Sequence, residues 1–247
     1  MNKRCFFPPI SLVIPVYNEE KRIRKSLAEI LPYLNHTLPD YEIIFVDDGS
    51  TDQTLPILEQ YQNEHFQIIK NDRNYGKGYS VKQGMLKARF TVVLFSDADF
   101  STPIEDLEKL LPYLKEYDIV IGSRGMKESQ VSVHQPFYKE WLGKLGNKFI
   151  QLLIVPGIKD TQCGFKMFKK ETLIIFRRQT IERWGFDFEI LMLAKRMGFK
   201  IKEVPVKWRN DFRSKVRFFD YLKTLGELLK IKWNILTNKY DLKNHGR

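Results

Sequence analysis

Thr91-Val-Val-Leu-Phe-Ser-Asp-Ala-Asp99 is the stretch of this chain that says most about its fold. Its apolar, β-branched run predicts a short buried strand that ends in two carboxylates. Side chains at positions i and i+2 of an extended chain share a face, so we expect Asp97 and Asp99 to project together. Open α/β sheets bind ligands at the carboxyl ends of their strands, and paired carboxylates suit Mg²⁺ or Mn²⁺. The stretch predicts a metal site, with a polar strand end before a helix cap as the alternative.

The segments around this stretch alternate between short apolar strands and helices with apolar residues at helical spacing. Further strands are predicted at 10–16, 41–46, 66–70 and 117–121. Such alternation favours a mostly parallel sheet flanked by helices, a Rossmann-like α/β fold. Polar or glycine-rich residues follow each strand, and in a parallel sheet these ends meet at one edge. The polar clusters are therefore expected to line a single cleft.

The second half of the sequence is less regular. We expect a polar loop at 125–139, a helix at 141–155 and a turn-rich segment at 160–166. A second helix at 185–197 and a strand at 201–208 follow. An amphipathic helix is predicted over 218–236, with Lys223, Lys230 and Lys232 off an apolar stripe formed by Phe218, Leu222, Leu225, Leu229, Trp233 and Leu236. This helix either packs on the domain or docks at an anionic membrane surface.

Length and charge narrow the possible functions. The length of 247 residues predicts one large domain, placed at 1–212 with halves at 8–125 and 126–212. The net charge is +11, and a basic tail is predicted over 213–247. Thirteen Lys/Arg stand against five Asp/Glu from residue 200 onward, which suggests an anionic partner. Cys5 and Cys163 are far apart and favour a reducing compartment. We expect neither a signal peptide nor a membrane span.

Several polar residues after the predicted strands are candidates for binding a nucleotide. The chain lacks a dinucleotide fingerprint and a P-loop, which disfavours a dehydrogenase or an NTPase. Carboxylates at Asp47 and Asp48 could accept hydrogen bonds from a base or ribose, although one of them, like Asp52, could instead cap a helix. Lys77 stands between two glycines and could approach a phosphate. Arg124 could clamp a diphosphate or form a surface salt bridge.

The motifs together resemble a known family. Five segments resemble, in order and spacing, the motifs of family 2 glycosyltransferases of the GT-A fold. They are Pro15-Val-Tyr-Asn-Glu19, Val46-Asp-Asp-Gly-Ser-Thr-Asp52, Asn74-x-Gly-Lys-Gly78, Asp97-Ala-Asp99 and Gly122-Ser-Arg124. The later segments 160–166, 182–189 and 214–216 resemble the branch of dolichyl-phosphate and polyprenyl-phosphate β-glucosyltransferases. The resemblance covers nearly the whole chain.

The resemblance implies a nucleotide-sugar donor, with UDP-glucose expected, and Mg²⁺ or Mn²⁺ as cofactor. It implies that Asp99 ligates the metal and that Asp97 contacts the metal or ribose region. The implied substrate-binding residues are Pro15, Tyr17, Glu19, Asp47, Asp48, Lys77, Asp97, Gln162, Lys166, Trp184 and Glu189. Transfer is expected to invert the anomeric centre, and Arg124 or Lys166 could help to neutralise the departing diphosphate.

The catalytic base is a separate question. Asp187 opens a predicted helix on the expected acceptor side and is our candidate, oriented by Arg183 or Trp184. The alternative role is a favourable charge at a helix N-terminus. A phosphate monoester, with a second pKa of about 6, is already mostly ionised at neutral pH. With such an acceptor, Asp187 would position the substrate more than deprotonate it.

The expected reaction transfers a hexose, glucose in the first place, from a UDP-sugar to a polyprenyl or dolichyl phosphate. It would take place at the cytoplasmic face of a membrane, with the protein bound peripherally. One alternative is transfer to a hydroxyl of a cell-envelope glycan. Another is a non-catalytic anion-binding module, but acidic strand ends disfavour nucleic acid as a partner. Gln135 and Lys139 stand where the family usually has arginines, which weakens the lipid-phosphate assignment.

Overall fold

The computed structural model describes residues 7–133, 146–209 and 218–242. The strands are β1 (Ile10–Val16), β2 (Tyr41–Asp47), β3 (Phe66–Lys70), β4 (Val92–Ser96), β5 (Ile119–Ser123), β6 (Gln130–Val133), β7 (Phe165–Lys169), β8 (Ile201–Pro205) and β9 (Lys207–Arg209). The helices are α1 (Ile23–Thr37), α2 (Thr54–Glu59), α3 (Lys77–Lys87), α4 (Leu107–Leu110), α5 (146–153), α6 (Ile174–Arg178), α7 (Phe186–Arg196) and α8 (Phe218–Leu236). Short 3₁₀ turns flank α4 and precede α6.

Seven strands form one twisted sheet in the order β3-β2-β1-β4-β7-β5-β8. All neighbouring pairs are parallel except those of β7, which is antiparallel to both β4 and β5. The strand order reverses direction at β1, which lies between β2 and β4. A crevice opens at such a point, outside the carboxyl ends of the strands. The mostly parallel α/β architecture is therefore confirmed.

The two faces of the sheet support separate hydrophobic layers because strand side chains alternate between faces. One layer joins residues such as Leu12 and Phe45 to helices α1, α2 and α4. The other joins residues such as Val13 and Phe95 to α3, α5, α6, α7 and α8. Both faces are covered, so β2 is buried along its whole length and β1 at every residue except the half-buried Pro15, and both strands are mostly apolar.

Three predicted segments differ from the structure. The segment 160–166 was predicted as turns, but β7 begins at Phe165 and inserts between β4 and β5. The loop at 125–139 contains β6, which pairs with β9, and the single strand at 201–208 is two strands. Positions 134–145, with Gln135 and Lys139, lie outside the described residues, as does Cys5.

The C-terminal helix has the predicted bounds, but its packed face differs from the predicted stripe. Leu228 and Ile231 are buried in the second layer. The stripe residues Leu225, Leu229 and Trp233 are exposed instead. None of the described helices is both long enough and apolar enough to cross a bilayer.

Candidate active site

Two carboxylates mark the candidate site, at the carboxyl end of β4. The side chains of Asp97 and Asp99 are 35% and 25% exposed. The backbone N–H of Ser101 donates to Asp99 Oδ1 over 2.9 Å. Burial raises the pKa of Asp99, and the neighbouring charge of Asp97 adds to that rise. The negative charge of the two carboxylates is not fully neutralised by neighbouring groups. Their oxygens can therefore hold a divalent cation jointly with phosphate oxygens. Within the described ranges, no group of three or more His, Cys, Asp and Glu side chains converges on a cation position.

A partly buried ammonium group lies beside this pair. Lys77, at the start of α3, places its Nζ 2.6 Å from Asp97 Oδ1. Three rings surround the same nitrogen, with centroids 5.3–5.8 Å away, and they belong to Phe95, Trp184 and Phe186. Burial alone would lower the pKa of Lys77, but Asp97 and Asp187 raise it above its usual value. The ammonium therefore stays charged next to the position expected for the donor phosphates.

A second ion pair lies behind the first one. Lys166, on β7, is fully buried, and its Nζ donates to Asp187 Oδ1 and to the Cys163 carbonyl. Burial raises the pKa of Asp187, while Lys166 and Lys77 act against that rise. The partner of Asp187 is therefore Lys166 rather than the predicted Arg183 or Trp184. Both members were predicted as site residues, and the structure joins them in one chain of alternating charge that continues through Lys77 to Asp97.

The acidic pair after β2 shapes the loop that leads to Lys77. The two carboxylate oxygens of Asp48 accept hydrogen bonds from Asn71 Nδ2 and from the backbone N–H groups of Tyr75 and Gly76. Gly76 has φ of +116°, a conformation that L side chains rarely adopt. Asp48 thus fixes an unusual turn, and its direct contact with a nucleotide stays a prediction.

The neighbouring carboxylate, Asp47, is also turned inward. It is 2% exposed and accepts from the Ser50 N–H over 3.3 Å, which is a contact within the turn before α2 and not the predicted helix cap, since α2 begins only at Thr54. Burial raises the pKa of Asp47. Asp52 likewise accepts from the Thr54 N–H at the start of α2.

The residues after β1 contribute an arginine that was not predicted. Arg22 donates two hydrogen bonds to Glu19, of 2.5 and 2.7 Å, and its Nη1 lies 4.0 Å from Asp99 Oδ2. Glu19 is therefore an anchor for Arg22 as well as a candidate ligand. Pro15 is half-buried in β1, and Tyr17 is 37% exposed at the mouth of the crevice.

Arg124, which follows β5, is held by a salt bridge to Asp160. Its Nε and Nη2 donate to the two oxygens of Asp160, over 2.7 and 2.9 Å. Its guanidinium also lies 5.3 Å from the Trp208 ring centroid. Although burial raises the pKa of Asp160, Arg124 holds it below its usual value. Arg124 is thus partly engaged within the protein, and Gln162 is exposed on the same segment.

Glu189, predicted as a substrate-binding residue, is turned away from the carboxylates of the candidate site. Its side chain is fully buried and accepts hydrogen bonds from the Thr180 and Ile181 N–H groups and from the Tyr240 hydroxyl. Residues i and i+2 of a helix point about 200° apart. Asp187 and Glu189 therefore cannot face the same cleft, and helix periodicity carried the signal that excludes this role.

A glycine against the first carboxylate was also missed. A Cβ on Gly164 would lie 2.0 Å from Asp97 Oδ2, and the Asp97 N–H donates to the Gly164 carbonyl over 3.0 Å. Only a residue without a side chain lets β7 approach this closely. The contact joins positions far apart in the chain, so no local sequence pattern predicts it.

Comparison with known proteins identifies relatives over almost the whole chain. A family model described as glycosyl transferase family 2 matches residues 11–174. A dolichyl-phosphate beta-glucosyltransferase of Trichomonas vaginalis is 39% identical over 252 residues, which cover 93% of this chain and 77% of the relative. The mouse dolichyl-phosphate beta-glucosyltransferase is 36% identical, covering 95% and 78%, and the Saccharomyces cerevisiae one is 34% identical, covering 94% and 76%.

Solved structures agree on the fold. The glucosyl-3-phosphoglycerate synthase of Mycobacterium tuberculosis, in complex with Mn²⁺, UDP-glucose and phosphoglyceric acid, aligns with a TM-score of 0.66. That alignment covers 92% of this chain and 80% of the synthase at 16% identity. The Staphylococcus aureus protein TarS, in complex with UDP-GlcNAc, aligns with a TM-score of 0.56 and 20% identity, covering 90% and 66%. The ordered motifs, the GT-A sheet and the family match agree: this chain is a glycosyltransferase and belongs to family 2.

Proposed function

We propose that this enzyme transfers glucose from UDP-glucose to a polyprenyl or dolichyl phosphate, with inversion at the anomeric carbon. One observation carries the proposal: two carboxylates and a partly buried ammonium lie together at the carboxyl end of β4. Its support also includes relatives named for glucosyl transfer to dolichyl phosphate, aligned over more than nine-tenths of the chain. The lipid acceptor puts the reaction at a membrane, and we propose the cytoplasmic face.

The donor diphosphate would bind across the crevice between β1 and β4. Asp97 and Asp99 would hold Mg²⁺ or Mn²⁺, because both present carboxylate oxygens there and the charge of Asp99 lacks full compensation. A divalent cation at this position would neutralise charge on the departing diphosphate. Lys77, held charged by its neighbours, would add a second positive group on the same side.

The acceptor phosphate would attack from the side of Asp187. One of its oxygens forms the new bond to the anomeric carbon, and the bond from that carbon to the diphosphate breaks, with its electron pair leaving on UDP. A phosphate monoester needs no proton removed for this step, since its second pKa is about 6. A buried Asp187 paired with Lys166 supports this acceptor, because a carboxylate that already accepts from Lys166 is suited to orient the site rather than to remove a proton from an acceptor hydroxyl.

The decisive test is a donor and acceptor panel. Purified protein, Mn²⁺ or Mg²⁺, UDP- and GDP-sugars and a short polyprenyl phosphate are combined, and nucleotide release and lipid mass are followed. Metal-dependent addition of one hexose to the lipid from UDP-glucose is the expected result. Donor hydrolysis without a lipid product would replace the acceptor by a glycan hydroxyl. No donor binding in the presence of metal would contradict the whole proposal.

Asp187→Asn distinguishes the two acceptor classes. With a lipid phosphate, we expect only a fall of about tenfold in kcat and an unchanged pH profile, because no general base is required. With a hydroxyl acceptor, loss of the base would cost roughly 10²–10⁴-fold. The measurement is kcat against pH for wild type and variant. A near-complete loss with loss of the acidic limb of the profile would contradict the phosphate acceptor.

Gly164→Ala tests the packing behind Asp97. Because the new methyl group would lie 2.0 Å from Asp97 Oδ2, the carboxylate must move, and we expect activity to fall roughly 10²-fold. The apparent affinity for Mn²⁺ should weaken in parallel. Gly146→Ala is the matched control, since a Cβ there meets no atom of the described residues within 4 Å. Equal metal affinity in the two variants would contradict this role of Gly164.

A further inference from the structure

Helix α8 presents large apolar side chains to solvent. The four residues of this outward row are Leu225 (52% exposed), Leu229 (61%), Trp233 (66%) and Leu236 (73%). They are spaced by four, four and three residues, so they lie on one face of the helix. Leu228, Ile231 and Asn234 are buried on the other side, where they hold the helix to the protein. The outward row therefore has no part in the core.

Positive charge borders the outward row. With about 100° per residue, Lys232 lies on one flank of the row, and Lys223 and Lys230 lie on the other. All three lysines are exposed. The only acidic residue between positions 223 and 239 is Glu227, and its Oε2 is turned inward to accept the Gly185 N–H over 2.7 Å. The outward side of the helix is thus apolar along its middle and cationic at its edges.

The same helix touches the active site. Gly185, which donates to Glu227, lies two residues before Asp187 at the start of α7. A partner bound to the outward row would therefore lie close to Asp187, on the proposed acceptor side of the site. The row from Leu225 to Leu236 is about 16 Å long, at a rise of about 1.5 Å per residue.

We propose that the outward row is a bilayer-docking surface that selects anionic lipid. Its leucines and Trp233 would enter the interfacial region, while the flanking lysines reach the lipid phosphates. A second copy of this chain is the other apolar partner available, but two copies in contact would bring their lysine flanks together. An anionic surface pairs those lysines instead. The inference rests on the proposed lipid-phosphate acceptor, which a docked helix would bring to the site.

Flotation of the whole protein with lipid vesicles tests the surface. Wild type should float with vesicles of phosphatidylcholine and phosphatidylglycerol, less with phosphatidylcholine alone, and less at high salt. Leu229→Gln/Trp233→Gln should lower the partition coefficient roughly tenfold or more. Lys230→Gln/Lys232→Gln should remove the preference for anionic lipid. Tyr113→Gln is the matched control, since Tyr113 is 40% exposed in the opposite helix layer.

Three results would overturn the proposal. Wild type does not float with anionic vesicles, or the Leu229/Trp233 variant floats as well as wild type. The third such result is that Leu229→Gln/Trp233→Gln changes a dimer into a monomer and leaves flotation unchanged. Activity separates this proposal from the reaction itself. The Leu229/Trp233 variant should transfer sugar normally to a short soluble acceptor and poorly to one embedded in vesicles. If wild type modifies neither acceptor, the proposed reaction fails while flotation still decides the docking surface.

Discussion

Asp99→Asn is expected to lower kcat/KM by roughly 10²–10³-fold while making the metal-free protein more stable. The loss of activity follows because an amide cannot supply the charge that the cation requires beside Asp97. The gain in stability follows from the raised pKa of Asp99, since burial and Asp97 disfavour its charged form. Function and stability are thus predicted to change in opposite directions at one residue.

The stability difference between wild type and Asp99→Asn is expected to depend on pH. An acid whose pKa is raised in the folded protein binds its proton more tightly there than in the unfolded chain. Its ionisation therefore destabilises the fold as pH rises above the unfolded value of about 3.9. At neutral pH the penalty is present in wild type and absent in Asp99→Asn. Thermal unfolding without metal should show a higher Tm for the variant, and the difference should shrink toward acidic pH.

Ligand addition should reverse that order. Mn²⁺ with UDP is expected to raise the Tm of wild type and to leave the Tm of Asp99→Asn nearly unchanged. Asp40→Asn is a suitable control, because Asp40 is 46% exposed by its side chain and lies near His65, at the start of β2. It should alter neither activity nor the response to metal. Equal stabilisation of wild type and Asp99→Asn by the ligands would contradict the assigned role.

Lys166→Met is expected to lower the free energy of unfolding by about 3–5 kcal/mol. Lys166 is fully buried and contacts Asp187, so its removal leaves a buried carboxylate without its nearest positive partner. Chemical denaturation should show a lower midpoint with an unchanged slope. A midpoint equal to that of wild type would contradict a buried charged pair at this position.

The double variant Lys166→Met/Asp187→Leu separates stability from catalysis. A buried ion pair replaced by apolar residues of similar volume often costs nothing, so most of the lost stability should return. Activity should fall about tenfold, as expected for Asp187→Asn, because Lys77 then lacks the charge of Asp187 and keeps only those of Asp97 and Asp99. If the double variant were no more stable than Lys166→Met, the coupling between the two charges would be disproved.

The sequence alone predicted the parts of the site that depend on local geometry. The place of Asp97 and Asp99 just after a strand follows from the apolar run before them, whereas the expected strand alternation stops short of them, because β4 ends at Ser96 and a turn follows, closed by the Phe100 N–H donating to the Asp97 carbonyl. The alternating pattern also predicted the parallel sheet, since each strand and helix of the first half is built from near neighbours in the chain. These features need no knowledge of what packs against them.

Only the tertiary structure decided which residues pair across long distances in the chain. Lys166 meets Asp187, and Gly164 meets Asp97, because β7 inserts beside β4 in antiparallel orientation. The short run Phe165-Lys-Met-Phe-Lys169 has two lysines among its apolar residues, so its pattern alone did not separate a buried strand from a turn. Burial of such a lysine is stable only with a partner that the fold brings to it.

The same distinction holds for α8. Its sequence predicted an amphipathic helix, and the structure has a helix over the predicted residues. It could not show whether the leucine stripe or the side that carries Leu228 and Ile231 meets the core, because both offer apolar residues. That choice depends on the shape of the layer formed by α6 and α7 and on contacts such as Glu227 with Gly185. Periodicity is a local property of a helix, whereas burial depends on every element packed around it.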